Sequence, residues 1–390
     1  MKTHGHLWGG ALLVAGTAIG GGMLALPVLT AAVGFWPSVL VFLICWLFMV
    51  GTGFLFAEIF LWQKEENNIV SMAKLTLGMP GQLVAWCLYL FLFYSLTIAY
   101  TSAGGNLVSD VLVGVPRWVT PLIFVAIFAP FVVVGPKAVD RLNWVLMVGL
   151  FLSFFLFFFS GVGRVRGELL QHMDWSHMLL AIPVIFTSFG FQGLVPTLTN
   201  YLGRDSKRVK RAILWGSSLP FCLYIVWEIL ILGVVPLPGL EVAQKLGQSA
   251  VYPLKATLHL SWLYTVGEFF AFFAIVTSFL GVTLGLLDFL ADGFNIKKSV
   301  GGKLFLATLI FAPSTVVAMT NPCLFLNALS YGGGFGCAIL LGLLPITMAF
   351  SGRYILKKEG EQLLGGGWPL LTLMAIFIIV VVSAMFAKIG

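Results

Sequence analysis

Four glycines lie in the middle of an apolar stretch near the start of the chain. The stretch, residues 7–30, is long enough to cross a bilayer as a helix, and Gly16, Gly20, Gly21 and Gly22 interrupt it. Released N–H and C=O groups meet no water in a membrane, so such a break is tolerated where the backbone lines a cavity. We therefore expect a broken helix whose amides face a small anion. The alternative is close helix packing, because Gly16 and Gly20 have Gly-x-x-x-Gly spacing.

A second interrupted stretch lies in the other half of the chain, at residues 179–202. Two glycines stand there between two prolines, and Thr187, Ser188 and Gln192 form a polar trio at the centre. Two Gly- or Pro-interrupted segments at matching positions of two halves point to a transporter binding site at the membrane midplane. The pairing favours the functional explanation of the first break.

Composition places both stretches in an α-helical membrane protein. The 390 residues are 59% hydrophobic and 9% charged, and the mean hydropathy is +1.02. The short alternating segments typical of a membrane β-barrel are not found in the sequence. The five cysteines have neither disulfide nor metal spacing, and we expect no cofactor and no metal.

The apolar segments number eleven, and most of the loops between them are short. We call them segments one to eleven: 7–30, 36–62, 83–108, 118–136, 142–163, 179–202, 212–235, 262–290, 303–320, 324–350 and 368–389. If segments one to five (7–163) form one unit, segments six to ten (179–350) form a second unit of inverted topology, each led by a broken helix. An eleventh helix, 368–390, follows both units. The expected fold is a single all-α integral membrane domain over 1–390.

The basic residues predict how this domain is oriented. With the N-terminus inside, the inner loops hold 16 of the 22 lysines and arginines, and the run 204–211 is the strongest anchor. The C-terminus is then outside, as are the longer loops 164–178 and 236–261. A lipid-binding patch is the competing interpretation of 204–211. The scattered basic residues do not indicate nucleic-acid binding.

Three stretches resemble the hydroxy/aromatic amino acid permease family of the amino acid–polyamine–organocation superfamily. Residues 14–27 look like that family's first segment, 181–196 like segment six of its tyrosine-specific members, and 277–292 like its segment eight. Shorter matches lie at 94–100 and 328–332. The resemblance implies a leucine-transporter-like fold, two inverted five-helix repeats plus an eleventh helix. It also implies a bacterial inner-membrane importer of tyrosine or tryptophan driven by protons.

The chain departs from the pattern of its relatives at two places. Family members often have His where this chain has Gln192, which bears on selectivity. Some proton-coupled relatives carry a Lys in segment five, whereas residues 142–163 contain no ionisable side chain. A lysine-based proton mechanism therefore lacks its lysine here.

An amino acid zwitterion needs N–H donors for its carboxylate and acceptors for its ammonium. We assign the donors to the amides of Gly20–Gly22 and to the start of the following half-helix, whose dipole favours an anion. Carbonyls released at 186–189, with the hydroxyl of Thr187 or Ser188, are the candidate acceptors. The alternative for the hydroxyls, that of Thr17 included, is a bond to the preceding helical turn. The predicted substrate site comprises Gly16, Thr17, Ala18, Ile19, Gly20, Gly21, Gly22, Tyr94, Phe186, Thr187, Ser188, Phe189, Gly190, Phe191 and Gln192.

An aromatic substrate also needs an apolar slot. Phe189, Phe191 and Tyr94 are candidates, with core packing as the alternative in a chain of 35 phenylalanines. Gln192 is a candidate partner for a phenol or an indole N–H, and a bond to another helix is the equal alternative. In the first case we expect tyrosine to be preferred over phenylalanine, with tryptophan intermediate.

Ionisable residues inside the segments are the candidates for ion coupling. Glu58 of segment two, a carboxyl among phenylalanines, is the leading proton carrier, and bracing of the broken helices is its alternative. Glu228 and Glu268 are further intramembrane acids without a family motif. Thr277 and Ser278 fall where sodium-coupled relatives of the fold place a cation site.

The last candidates are two acids near the predicted inner end of segment eight. Asp288 and Asp292 are predicted to form an inner gate by pairing with Arg or Lys, and solvated helix-end charges are the alternative.

The sequence separates the transporter from other membrane classes. A channel would repeat a filter motif, an enzyme would cluster His, Asp or Cys at a membrane face, and an ATPase would carry a phosphate loop; none is found. We predict a non-enzymatic importer of aromatic amino acids, tyrosine first, by proton symport. Tryptophan, broad aromatic specificity and sodium coupling are the alternatives. Its partners are the amino acid, the coupling proton or sodium and the lipid bilayer, with no nucleic acid.

Overall fold

The structure of the chain is a computed structural model that describes residues 6–63, 68–112, 114–258, 261–321 and 323–387. Within these ranges the regular structure is helical, and one isolated bridge joins Gly34 to Met173. Among the described residues, nine helices are long and apolar enough to cross a membrane, and a bent pair makes a tenth span. Residues 1–5 and 388–390, including both termini, lie outside the described residues, so the orientation of the termini stays a prediction.

The helices follow the predicted segments in order. Segments one to five are Leu7–Ala18 with Gly22–Thr30, Phe35–Leu61, Ile69–Val111, Thr120–Val134 and Pro136–Gly161. Segments six to eleven are Met178–Ser188 with Val195–Tyr201, Ser206–Leu232, Ser261–Gly293, Val300–Thr320, Leu324–Ile355 and Gly367–Ala387. Thr120–Val134 is the one apolar segment of the described chain shorter than the spanning length. Each predicted segment therefore corresponds to one helix or one broken helix.

Segment three is longer than its apolar run predicts. The helix begins at Ile69 instead of residue 83, and the side chain of Asn68 caps it by accepting the N–H of Ser71 at 2.9 Å. Gly78 has φ +73°, a conformation that side chains rarely adopt, and it marks a kink in the helix. Hydropathy missed the part before the kink because Lys74 and other polar residues interrupt the apolar pattern.

The predicted loop 236–261 is partly helical and covers one half of segment one. It contains the short helices Leu237–Lys245 and Tyr252–Leu258. The Ala250 N–H donates to the Leu24 carbonyl at 2.9 Å, which ties the loop to the second half-helix, Gly22–Thr30. This side of the broken helix is therefore closed in the structure.

Candidate substrate site

Segment one is broken where the glycines predicted a break. Its two half-helices meet at an angle of 55° between Ala18 and Gly22. The Gly21 N–H donates to Ser278 Oγ at 2.8 Å, while the N–H groups of Gly20 and Gly22 have no hydrogen-bond partner in the described part of the chain. The break therefore presents two N–H donors that an anion can use.

The same glycines allow three other segments to approach the backbone closely. A Cβ at Gly22 would lie 2.8 Å from Ser188 Oγ, and one at Gly21 would lie 2.6 Å from Tyr100 Cε1. A Cβ at Gly20 would meet Ser278 Oγ of segment eight. Gly16 differs, because its Cβ would meet only Met147 Cε at 4.0 Å. Close approach therefore accompanies the break at Gly21 and Gly22, whereas Gly16 leaves open space.

A cavity of about 580 Å³ lies against both interrupted segments. It runs along Leu12 of segment one and Thr197 of segment six, residues that the charge pattern places towards the inside. The helices of loop 236–261 cover the opposite end. The predicted residues on the cavity wall are Gly16, Thr17, Ala18, Ile19, Gly20, Gly22, Thr187, Ser188, Gly190, Thr277 and Ser278.

The hydroxyls of Thr17, Thr187 and Ser188 donate to backbone carbonyls of the preceding helical turn, which is the alternative that the sequence left open. Thr17 Oγ1 donates to Leu13 O and Ser188 Oγ donates to Val184 O, both at 2.8 Å. Thr187 Oγ1 lies 3.0 Å from Pro183 O. Each oxygen keeps lone pairs that can accept a further hydrogen bond.

Tyr224 of segment seven, which the sequence analysis missed, joins the two breaks. Its buried hydroxyl oxygen lies 2.6 Å from the carbonyl oxygen of Ala18 and 2.8 Å from that of Ser188. One hydroxyl proton cannot serve both carbonyls fully, so acceptor capacity remains between the two breaks. The one sequence signal for Tyr224 is its place four residues before Glu228, on the same helical face.

Several predicted aromatic residues pack away from the cavity. Those not on its wall are Tyr94, Phe186, Phe189 and Phe191. The Phe186 ring packs against Phe48, with ring centroids 5.4 Å apart, and the Tyr94 hydroxyl donates to Leu309 O at 3.0 Å. In this conformation these four aromatic residues therefore pack in or against the protein core, as the alternative interpretation predicts, and do not line the cavity.

Segment three supplies the aromatic wall instead. Tyr89, Phe93 and Tyr100 line the cavity, and the rings of Tyr89 and Phe93 stack with centroids 4.2 Å apart. With Leu92 and Leu96 they form one helical face, at a spacing that the sequence already contains. Among 35 phenylalanines and nine tyrosines, that stripe did not stand out from ordinary core patterning.

Gln192 is fully buried and bonded to a neighbouring helix. Its Nε2 donates to Met49 O and to Thr52 Oγ1, both at 3.1 Å, and its Oε1 accepts the Phe191 N–H at 3.0 Å. Gln192 is not on the cavity wall. Gln192 therefore makes the bond to another helix that the alternative interpretation describes. In this conformation its amide does not face the site where a substrate would bind.

Glu58 forms a buried ion pair. Its carboxylate accepts from Arg353 Nε and Nη2, each at 2.7 Å, and from the Leu363 N–H at 2.9 Å. Arg353, which the sequence assigned to an inner loop, is therefore buried at the end of segment ten. This bidentate pair is the arrangement expected of a brace between segments two and ten.

The residues of segment eight lie at two places. Ser278 touches the first break through its bond with Gly21, and Thr277 Oγ1 lies 3.1 Å from Ala274 O. Asp288 and Asp292 lie 2.8 and 3.6 Å from Lys298 Nζ, and the hydrogen bond to Asp288 raises the pKa of Lys298. Their gate role stays a prediction, since Lys298 belongs to the adjoining loop.

Asn143 adds a polar group that the sequence did not single out. It lines the cavity at the start of segment five, and its Oδ1 has no hydrogen-bond partner in the described ranges. An unpaired amide oxygen beside a cavity is a position for a ligand donor.

Comparisons with known proteins match the chain over nearly its whole length. A family model described as the tryptophan/tyrosine permease family covers residues 3–384. The tryptophan-specific transport protein of Haemophilus influenzae is 32% identical over 406 residues, which cover 98% of this chain and 96% of that protein. The tyrosine-specific transport system 2 of the same organism is 31% identical, with 98% and 97% covered.

A solved structure shares the fold. The crystal structure of MhsT in complex with L-phenylalanine has a TM-score of 0.61 and 17% identity, and the match covers 96% of this chain and 100% of that one. The leucine-transporter-like fold with interrupted segments one and six is thereby confirmed.

Proposed function

The chain belongs to the tryptophan/tyrosine permease family, whose members are transport proteins and not enzymes, and on that premise we propose that it imports aromatic amino acids. Tyrosine is the leading substrate, because residues 181–196 resemble the tyrosine-specific members, and tryptophan is the alternative. The coupling ion is the proton, and the membrane is a bacterial inner membrane with residues 204–211 inside.

The observation that carries the proposal is the cavity between the two breaks. On one side the N–H groups of Gly20 and Gly22 can donate hydrogen bonds to a carboxylate. On the other side the carbonyls of Ala18 and Ser188 share the Tyr224 hydroxyl proton and can receive an ammonium. The volume of about 580 Å³ lies within the range of small-molecule sites, about 300–1,000 Å³.

The aromatic side chain of the substrate is placed against segment three. Rings of Tyr89, Phe93 and Tyr100 offer edge and face contacts. Asn143 Oδ1 can accept a hydrogen bond from a phenol or from an indole N–H, which phenylalanine lacks. The arrangement supports preference for tyrosine and tryptophan over phenylalanine.

Counterflow in proteoliposomes tests this function. Vesicles loaded with unlabelled tyrosine, tryptophan, phenylalanine or leucine are diluted into labelled tyrosine, with empty vesicles as the control. We expect tyrosine and tryptophan to drive the largest transient uptake and leucine to drive none. Equal counterflow with leucine, or none with any aromatic amino acid, would overturn the proposal.

A further inference from the structure

Segment seven holds both halves of the broken segment one through two side chains one turn apart. Tyr224 bonds Ala18, the last residue of the first half-helix, and Glu228 bonds Thr30, the last residue of the second. Tyr224 and Glu228 are both fully buried. Each half-helix therefore ends at a buried polar contact with segment seven.

The contact between Glu228 and Thr30 lacks a hydrogen-bond donor unless the Glu228 carboxyl is protonated. Thr30 Oγ1 lies 2.8 Å from Leu26 O and 3.1 Å from both carboxyl oxygens of Glu228. Because the threonine has one proton, its donation to Leu26 leaves an ionised carboxylate with no donor. A protonated Glu228 that donates to Thr30 Oγ1 satisfies every group. Neutral Glu228 therefore fits this conformation.

Among the described residues, no positively charged group lies close enough to Glu228 to stabilise an ionised carboxylate. The segments beside it contribute aromatic rings: Trp227 packs against Phe154, Phe157 and Phe270. The titratable groups on the elements packed against segment seven are Cys45, Glu58, Glu168 and Tyr201. Tyr224 lies on segment seven itself, and Arg166 and His172 lie in the adjoining loop. In the described residues none of them lies within hydrogen-bond or ion-pair distance of the Glu228 carboxyl.

Glu168 is exposed, and the other named neighbours that bear a charge or a ring nitrogen have partners of their own. Glu58 pairs with Arg353, Arg166 Nη2 donates to Val234 O at 3.4 Å, and a ring nitrogen of His172 lies 3.0 Å from Ala32 O. An isolated buried carboxylate costs several kcal/mol, so ionisation of Glu228 requires water to reach it.

We propose that Glu228 is the proton-binding site of the transport cycle, and that its proton holds the second half-helix of segment one in the closed position. This inference rests on the proposed function and deepens it. When Gly22–Thr30 moves away from segment seven, water reaches Glu228 and the carboxylate is stable. Proton binding then forms the carboxyl O–H, which donates to Thr30 and closes that side. On the opposite side the O–H gives its proton to water from the cavity once Tyr224 releases Ala18 and Ser188.

The variant Glu228→Gln tests the proposal, because its amide can donate to Thr30 but cannot ionise. The full chain is placed in proteoliposomes with an inward proton gradient, and labelled tyrosine accumulation, counterflow and proton influx by an entrapped pH dye are measured. We expect Glu228→Gln to lose uphill accumulation and tyrosine-driven proton influx while counterflow persists. Glu268→Gln, the matched change at another intramembrane acid, is expected to keep all three.

Each outcome separates this inference from the proposed function. Absence of counterflow in the wild type contradicts the proposed function. Uphill accumulation by Glu228→Gln, or its loss in Glu268→Gln, contradicts the role of Glu228 and leaves the proposed function standing. Wild-type accumulation that follows a sodium gradient at fixed pH contradicts both this role and the proposed proton coupling, while the import of aromatic amino acids stands.

A second variant applies if Glu228→Gln does not reach the membrane. Thr30→Val keeps the ionisable carboxyl and removes the hydroxyl that it bonds. Loss of one hydrogen bond to the protonated form should require an about fivefold higher proton concentration for half-maximal uptake. An unchanged pH dependence of uptake would contradict the proposal that proton binding to Glu228 acts through its hydrogen bond with Thr30.

Discussion

Two side-chain amides, those of Asn143 and Gln192, have opposite surroundings. Gln192 has its donors and its acceptor occupied by Met49, Thr52 and Phe191. Asn143 lines the cavity, and its Oδ1 has no hydrogen-bond partner among the described residues. We therefore propose that Asn143, the amide that a substrate can satisfy, contributes to selectivity.

Asn143→Leu should narrow the preference for tyrosine over phenylalanine. Loss of one hydrogen bond to the phenol corresponds to an about fivefold weaker competition by tyrosine, with phenylalanine unchanged or improved. The measurement is competition of each amino acid against labelled tyrosine. Gln192→Leu is the control, since it should lower stability and leave the ratio unchanged. A ratio that shifts in Gln192→Leu but not in Asn143→Leu would restore the original interpretation of Gln192.

At the scale of elements, the breaks could be predicted and their partners could not. Glycine runs flanked by apolar residues locate a break because helix propensity and membrane hydration are local properties. Tyr224 joins the breaks and lies 206 residues from Ala18 in the sequence. Arg353 pairs with Glu58 and lies 295 residues from it. Their roles follow from packing, which hydropathy does not encode. The same limit applies to the tyrosines of segment three, where the sequence predicts Tyr94 at the site and the structure places Tyr89 on the cavity wall.

The brace between segments two and ten gives a prediction about stability. Glu58→Gln leaves the buried Arg353 guanidinium without its counter-charge, a change that typically costs about 3–5 kcal/mol. We expect a lower melting temperature of the purified protein, with proton-driven accumulation retained by the folded fraction. The double change Glu58→Gln with Arg353→Gln should recover part of the loss. Unchanged melting with lost accumulation would instead return Glu58 to the role of proton carrier.

At the scale of the whole molecule, the predicted orientation decides which state of the transport cycle the structure represents. The cavity runs towards Leu12 and Thr197, and loop 236–261 covers the other end. With residues 204–211 inside, the structure is an inward-facing state.

The exposed residues Lys207 and Lys245 test the orientation. Each is changed to Cys in a variant whose exposed cysteines, Cys87, Cys222 and Cys323, are alanine. An impermeant thiol reagent on whole cells should label Lys245→Cys and should label Lys207→Cys only after lysis. The reverse pattern would invert the orientation and make the cavity open outwards.

The central claim is that an aromatic amino acid occupies the cavity between the two breaks. Gly281 and Gly301 are helical glycines whose added Cβ would meet nothing within 4 Å, so a larger side chain fits at both. Gly281 lines the cavity and Gly301 does not. The two leucine variants therefore differ in whether they fill the cavity.

Binding of labelled tyrosine to the purified protein by scintillation proximity is the most direct measurement. The account predicts that Gly281→Leu loses tyrosine binding while its melting temperature stays near that of the wild type, and that Gly301→Leu binds as the wild type does. Wild-type affinity in a folded Gly281→Leu would contradict the placement of the substrate in this cavity.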